Sequence, residues 1–210
     1  MKGIDSAIKR CLDVITSSCA IVLMAPVMLL IAVAIKWDSR GPALYRARRV
    51  GIGGRHFMMF KFRTMVFGAD KLGGPSTPDG DPRVTRIGRY LRKYKLDELP
   101  QLVNVLKGDM SLVGPRPEVP QYVAMFTNEE RQILDLRPGI TDLATLWNPD
   151  EGAVLAAAGD PERVYLEVIR PRKIQLQLEY VRSRNCWSDV RIIWQTLITV
   201  ARGAQGVQKR

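Results

Sequence analysis

Histidine is nearly absent from this chain of 210 residues, and its single copy, His56, excludes a histidine-rich metal centre. His56 lies in an apolar, strand-like stretch and reads as structural. Cysteine is sparse too. Cys11, Cys19 and Cys186 form no Cys-x-x-Cys pair, which excludes a disulfide framework and a zinc site and fits a reducing compartment. Acidic residues are short of the basic ones, 21 against 32, so a net charge of +11 calls for anionic partners. Three classes qualify: nucleic acid, acidic lipid headgroups and phosphorylated small molecules. Helix–turn–helix and zinc signatures are missing, and the aromatics form no stacking platform, which argues against nucleic acid. Internal repeats and low-complexity domains are absent. The glycines of Gly51-Ile52-Gly53-Gly54 lack a Walker lysine and a strand–loop–helix context, so they read as a hairpin turn and not a nucleotide loop.

What the chain does have is a long uncharged run, Val14 to Ile35. As a straight helix it measures about 33 Å, enough to cross a hydrocarbon core of about 30 Å. Pro26 sits near its middle, and basic residues crowd both ends: Lys2, Lys9 and Arg10 before it, Lys36, Arg40, Arg46, Arg48 and Arg49 after it. Cytoplasmic flanks collect Lys and Arg. A straight span must export one cluster; a helix broken at Pro26 that enters and leaves one leaflet exports neither. The expectation is therefore a re-entrant membrane helix over residues 1–40, with an ordinary single span as the alternative. The apolar run is too long for a cleaved signal peptide, and no small-x-small site follows it.

After Gly41-Pro42 the chain changes character. Ala43 to Val50 and His56 to Met65 read as two strands joined by the glycine turn. Gly68 to Pro82 reads as a surface loop. Arg83 to Lys95 is a basic helix, with Arg86, Arg89 and Lys93 on one face, Arg92 at its margin, and Ile87, Tyr90, Leu91 and Tyr94 opposite. It is either a solvated or lipid-facing basic surface or a phosphate site. Leu99, Leu102, Val103 and Leu106 at i, i+3, i+4 and i+7 predict a helix stopped by Gly108. Asp97 is the expected N-cap, and Pro100 fits the first turn. Asp97 and Glu98 thus stand at a helix start, where the dipole lowers carboxylate pKa values and attracts phosphate. One carboxylate can attack phosphorus while the other holds Mg²⁺; the bland reading is a cap. Arg116, between Pro115 and Pro117, suits bidentate phosphate contact or is an exposed turn arginine, and Arg137-Pro138-Gly139 repeats the theme.

Taken together, Lys61-Phe62-Arg63-Thr64-Met65, Leu96 to Leu102, Asn104 to Ser111, Gly114-Pro115-Arg116-Pro117 and Arg137 to Thr141 resemble the monotopic phosphoglycosyl transferases, in that family's order and over nearly the whole chain. These bacterial sugar transferases start glycan assembly on a polyprenol phosphate, and the chain is similar to their small single-domain form. The resemblance implies transfer of a sugar 1-phosphate from a UDP-sugar to polyprenol (undecaprenyl) phosphate, with release of UMP, through a covalent phosphosugar-aspartate intermediate. By position it makes Asp97 the nucleophile and Glu98 the Mg²⁺ ligand. Arg92 and Arg116 would neutralise phosphate, with Lys61, Arg63 and Arg137 as further candidates.

The fold expected is mostly helical α+β. A re-entrant helix broken at Pro26 precedes a small β-hairpin and amphipathic interfacial helices around a cytosolic catalytic core over residues 41–202, with a flexible tail over 203–210. The expected location is the cytoplasmic face of the bacterial inner membrane, with the phospholipid bilayer as partner and no nucleic acid. Departures from the family pattern include Ala25-Pro26 where Ser-Pro is frequent, and Ala47 where Gln is frequent. Asp142-Leu143-Ala144-Thr145 stands where many members have Gly-Trp-Ala-Gln, in a region expected to help choose the sugar. Trp187, Val190, Ile193, Trp194, Leu197, Ile198 and Ala201 share one arc of a C-terminal helix, which either lies in the headgroup region or packs on the core. Two rival functions are a non-catalytic membrane scaffold for glycan enzymes and a membrane-tethered nucleic-acid binder.

Overall fold

The computed structural model of the chain describes residues 2–72 and 77–202; the tail over 203–210 lies outside the described residues. The uncharged run lies within α1 (Lys2–Asp38), a helix of 37 residues. Pro26 sits inside the helix and does not end it. Its ring removes one N–H, and with it the bond to the Val22 carbonyl, while the turns on either side keep theirs. Burial follows a 3–4 stripe. Asp13, Ser17, Ile31 and Ile35 are buried, whereas Val22, Leu23, Leu29 and Leu30 are exposed. The helix meets the rest of the protein near both ends and leaves the apolar side of its middle bare.

The expected hairpin follows as β1 (Leu44–Val50) and β2 (His56–Phe62), antiparallel, in register from Leu44 opposite Phe62 to Val50 opposite His56. Gly53 and Gly54 take φ of +63° and +76° in the turn, conformations that glycine adopts without strain. The basic run forms α2 (Arg86–Lys93), capped by Thr85, whose hydroxyl accepts the Gly88 N–H at 3.0 Å. Its buried side is Ile87, Gly88 and Leu91, packed with Ile31, Ile35 and Phe62. Tyr90 and Tyr94, expected to join that side, are exposed. A short 3₁₀ turn, Leu96–Glu98, leads into α3 (Gln101–Lys107), which ends at Gly108 with φ +88° as expected.

The stretches after Gly108 and Arg137 read only as rigid turns in sequence. They pair as β3 (Ser111–Val113) and β4 (Gly139–Thr141), a two-stranded parallel ribbon. Around it lie α4 (Pro120–Val123), α5 (Leu143–Trp147), α6 (Glu151–Ala156), α7 (Pro161–Val164), α8 (Arg170–Ser183) and α9 (Cys186–Arg202). In α9, Ile192 is buried and the Thr196 hydroxyl meets that of Thr141 at 2.7 Å, so the inward face is not the predicted apolar arc. Trp187, Val190, Trp194 and Leu197 are exposed, Trp187 at 80% and Trp194 at 65%. The reading of that arc as a core-packing face is thereby corrected. The three cysteines are free and exposed, in keeping with the absence of a disulfide framework. His56 is exposed at the start of β2, where Nδ1 accepts from Arg48 Nε at 3.2 Å.

Candidate active site

Three segments build one wall of a groove of about 1960 Å³: the end of β2, the turn between α2 and α3, and the loop after β3. Between α2 and the 3₁₀ turn, Lys95 takes φ +55°, the one positive φ at a non-glycine among the described residues. This left-handed step costs about 1–2 kcal/mol and reverses the chain tightly enough to put Asp97 and Glu98 back against β2. Asn104 in α3 fixes that approach. Its Oδ1 accepts the Phe60 N–H and its Nδ2 donates to the Met58 carbonyl, both at 2.8 Å. The buried amide thus pins α3 to β2 and sets Lys61 opposite the two carboxylates.

Glu98 lies between two cations. Lys61 Nζ is 2.9 Å from Oε1; Arg116 NH2 is 2.5 Å from Oε1 and NH1 is 3.3 Å from Oε2. Burial by itself would raise the Glu98 carboxyl, but Arg116 and Lys61 outweigh it and hold the group well below its ordinary value. Asp97 is held differently. Lys61 Nζ lies 3.8 Å from Oδ2, and the buried Oδ1 has no hydrogen-bond partner in the protein. Burial pushes its carboxyl above the ordinary range, Lys61 opposing the rise. Two expectations are corrected here. Asp97 does not cap α3, whose N-cap is Pro100 without a side-chain bond, and its ionisation is disfavoured and not eased. The cause of both is the intervening 3₁₀ turn, which turns the carboxylate into the protein and away from the first amides of α3.

Arg92 also lines the groove, its Nε donating to Thr64 Oγ1 at 2.9 Å. Lys61, Arg92, Arg116, Asp97 and Glu98 therefore face one space. Arg63 lines the same groove but its terminal nitrogens are taken up by backbone carbonyls, and Arg137 does not line it. Arg63 is buried and its terminal nitrogens donate to the carbonyls of Arg40 and Ser39, just past α1. Arg137 is exposed, with Nε on the Gly108 carbonyl at 3.0 Å. The groove is also lined by Asp79, Asp150, Glu151 and Gly152, by Arg86, Arg89 and Lys93 of α2, and by Ala32 and Lys36 of α1. Asn104, Asp79, Asp150 and Glu151 carry no individual signal in the sequence, and Lys95 reads there only as the end of the basic run. Asn104 lay within a quoted motif, but its partners are more than 40 positions upstream.

A divalent cation suits this wall. Mg²⁺ takes few protein carboxylates and completes its shell with water and phosphate oxygens. Glu98 Oε2, met by Arg116 NH1 only at 3.3 Å, is the carboxylate oxygen that could take such an ion. Among the described residues no group of three or more His, Cys, Asp or Glu could hold a metal ion.

A family model described as bacterial sugar transferase matches residues 4–203. The chain is 40% identical over 201 residues to the UDP-N-acetylgalactosamine-undecaprenyl-phosphate N-acetylgalactosaminephosphotransferase of Aeromonas hydrophila, covering 93% of this chain and 44% of that protein. It is 40% identical over 200 residues to the UDP-glucose:undecaprenyl-phosphate glucose-1-phosphate transferase of Caulobacter vibrioides, with 90% and 68% covered. It is 32% identical over 221 residues to the exopolysaccharide production protein ExoY of Rhizobium meliloti, with 97% and 91% covered. This chain thus spans less than half of the Aeromonas relative and nearly all of the Rhizobium one.

Proposed function

This chain belongs to the bacterial sugar transferase family, and on that premise we propose that it transfers a sugar 1-phosphate from a UDP-sugar to undecaprenyl phosphate, releasing UMP. The substrate classes follow the relatives' names, which pair UDP-sugars with undecaprenyl phosphate. The observation that carries the reading is the Asp97–Glu98 pair: one carboxylate clamped by two cations, the next with a buried oxygen free of any protein donor.

Asp97 Oδ1 attacks the sugar-linked phosphorus. The bond from that phosphorus to the bridging oxygen breaks, UMP leaves, and a phosphosugar-aspartate remains. An oxygen of the lipid phosphate then attacks the same phosphorus and frees Asp97, giving the polyprenol diphosphate sugar. Burial withholds from Asp97 the water that would otherwise solvate its charge. Lys61 lies near enough to favour its ionised form. Arg92 and Arg116 neutralise charge on the transferred group, since phosphoryl transfer is chiefly positioning and charge stabilisation. Glu98 would hold Mg²⁺, whose chemistry when bound is neutralisation of the diphosphate oxygens.

The proposed setting is the cytoplasmic face of the bacterial inner membrane, with α1 entering and leaving one leaflet. Both ends of α1 are bonded to the same domain. Lys9 meets Asp189 at 2.6 Å, Arg10 donates to the Val105 and Leu106 carbonyls, and Asp38 accepts the Ile87 N–H at 3.1 Å. Cysteines placed at Ser6 and Ser39 should both be labelled from the cytoplasmic side, and opposite-side labelling would refute this topology.

The reaction is tested with purified protein in detergent, Mg²⁺, undecaprenyl phosphate and a panel of UDP-sugars that includes UDP-glucose and UDP-N-acetylgalactosamine. UMP release is expected from at least one. Donor alone should leave a phosphosugar adduct on the intact protein, and Asp97→Asn should abolish both adduct and turnover. Turnover that survives Asp97→Asn, or no UMP from any donor, overturns the proposal.

A further inference from the structure

Arg116 sits between two prolines whose rings fix φ on either side, so its own backbone is the remaining freedom in the segment. A buried pair takes that freedom away. Asp142, just after β4, is 1% exposed, as is Gln177 on α8. Asp142 Oδ2 accepts the Arg116 N–H at 3.0 Å and the Gln177 Nε2–H at 3.0 Å. The same Gln177 nitrogen reaches the Arg116 carbonyl at 3.4 Å. Asp142 Oδ1 caps α5 by accepting the Thr145 N–H at 2.7 Å. Three N–H groups converge on one side chain. Only a carboxylate offers acceptors to all three; an amide there would turn an N–H₂ toward a donor.

We infer that Asp142 is a positioning residue for the transfer reaction: with Gln177 it clamps the backbone of Arg116 and so sets where the guanidinium meets Glu98 and the donor phosphates. The inference rests on the phosphoglycosyl transfer reading and goes beyond it, because the Asp142 stretch was expected only to help select the sugar. A helix cap would account for Oδ1 alone. Oδ2 instead accepts from the backbone of Arg116, the arginine that shares Glu98 Oε1 with Lys61. β4 contributes as well, since the Ile140 carbonyl, two residues before Asp142, lies 3.4 Å from Arg116 NH1. Backbone and guanidinium of Arg116 are thus referred to one short strand and its next residue.

The test compares Asp142→Asn and Gln177→Met in the wild-type and Arg116→Lys backgrounds, in the full chain in detergent. Displacing a phosphate-binding group by about 1 Å can cost about 100-fold. A fall in kcat/KM of about that size is expected for Asp142→Asn, borne by kcat, and a smaller one for Gln177→Met. Neither should fall further once Arg116 is already lysine, whereas the loss of thermal stability from Asp142→Asn should recur in both backgrounds. Equal losses in the two backgrounds would mean a general structural role and overturn the inference. A second arm needs no turnover: hydrogen exchange of the peptide containing Arg116 should quicken in both variants, and unchanged exchange overturns the clamp. If the wild type releases no UMP, the transfer reading has failed, and exchange alone decides the clamp. Gln177→Met leaves the α5 cap intact and carries the test should Asp142→Asn not fold.

Discussion

Gly88 is the tightest point between the basic helix and the strand that leads into the site. A Cβ built there would lie 2.0 Å from the Thr64 carbonyl oxygen and 2.7 Å from its carbon. Ordinary carbon–oxygen contacts begin near 3.3 Å, so Gly88→Ala forces α2 away by about 1.3 Å. Two bonds cross that boundary: the Thr85 N–H to the Thr64 carbonyl at 3.0 Å and Arg92 Nε to Thr64 Oγ1 at 2.9 Å. Lengthened by that much, neither survives as a hydrogen bond. Overpacking costs about 1–3 kcal/mol and each lost bond about 0.5–1.5 kcal/mol, for a total of roughly 2–6 kcal/mol. That is a large part of a typical stability of about 5–15 kcal/mol, so a folded but weakened protein is expected. Arg92 moves with its helix, and a displacement of about 1 Å predicts a kcat/KM loss near 100-fold. Thermal unfolding in detergent and UMP release measure the two effects. Gly159→Ala, where nothing lies within 4 Å and φ is ordinary, is the control and should change neither. A Gly88→Ala protein with wild-type melting and turnover would refute the claim that this contact sets the position of Arg92.

Lys173 and Glu118 form a buried pair at 2.5 Å, with the Tyr165 hydroxyl donating to the same carboxylate at 3.1 Å. Burial favours the neutral Glu118, but Lys173 reverses this and holds its carboxyl below the ordinary value. The stability it contributes is therefore present above about pH 4.5 and is lost as pH falls through the depressed folded value. Lys173→Met should cost about 3–5 kcal/mol at neutral pH and lessen or invert that acid loss, because Glu118 then favours its protonated form. Urea unfolding of both proteins between pH 3 and 7 reads the sign, and parallel curves would contradict it. On α9, replacing Trp187 and Trp194 together by Ala removes two exposed indoles. It should weaken flotation with anionic vesicles while leaving the melting temperature within a degree or two, and unchanged flotation would remove α9 from the membrane-facing surface.

Much of this architecture is legible in short-range pattern. Strand-like runs on either side of a glycine turn predict the hairpin, and the spacing from Leu99 to Leu106 with Gly108 predicts α3. What escapes is whatever depends on partners far apart in the chain. β3 and β4 are three residues each and lie more than 20 positions apart, too short to show a period. Glu118 with Lys173 and Asp142 with Gln177 are ordinary polar residues until the fold encloses them. The site was half legible. Asp97, Glu98, Lys61, Arg92 and Arg116 do line one groove, but the state of Asp97 was misjudged. The error came from one dihedral: with Lys95 at φ +55° a 3₁₀ turn intervenes, and a residue expected to be a solvated cap becomes a buried carboxylate.

The bonds at the two ends of α1 also bear on how a soluble donor and a lipid acceptor could share one groove. Asp13 accepts the Ser111 hydroxyl at 2.7 Å and the Leu112 N–H at 3.1 Å, so the start of the proposed anchor is fastened to the strand that leads to Arg116. Asp38, at the other end, is fastened to α2, which carries Arg92. In a straight helix these two carboxylates would stand about 38 Å apart, farther than the hydrocarbon core is thick. A helix crossing the bilayer would therefore have to leave one of them without its partner, and a buried carboxylate without partners is costly. Held at both ends by one domain, α1 leaves Val22, Leu23, Leu29 and Leu30 exposed in its middle, with Leu12, Ile15 and Trp37 exposed toward its ends. Ala32 and Lys36, just past that middle, line the same groove as Asp97 and Glu98.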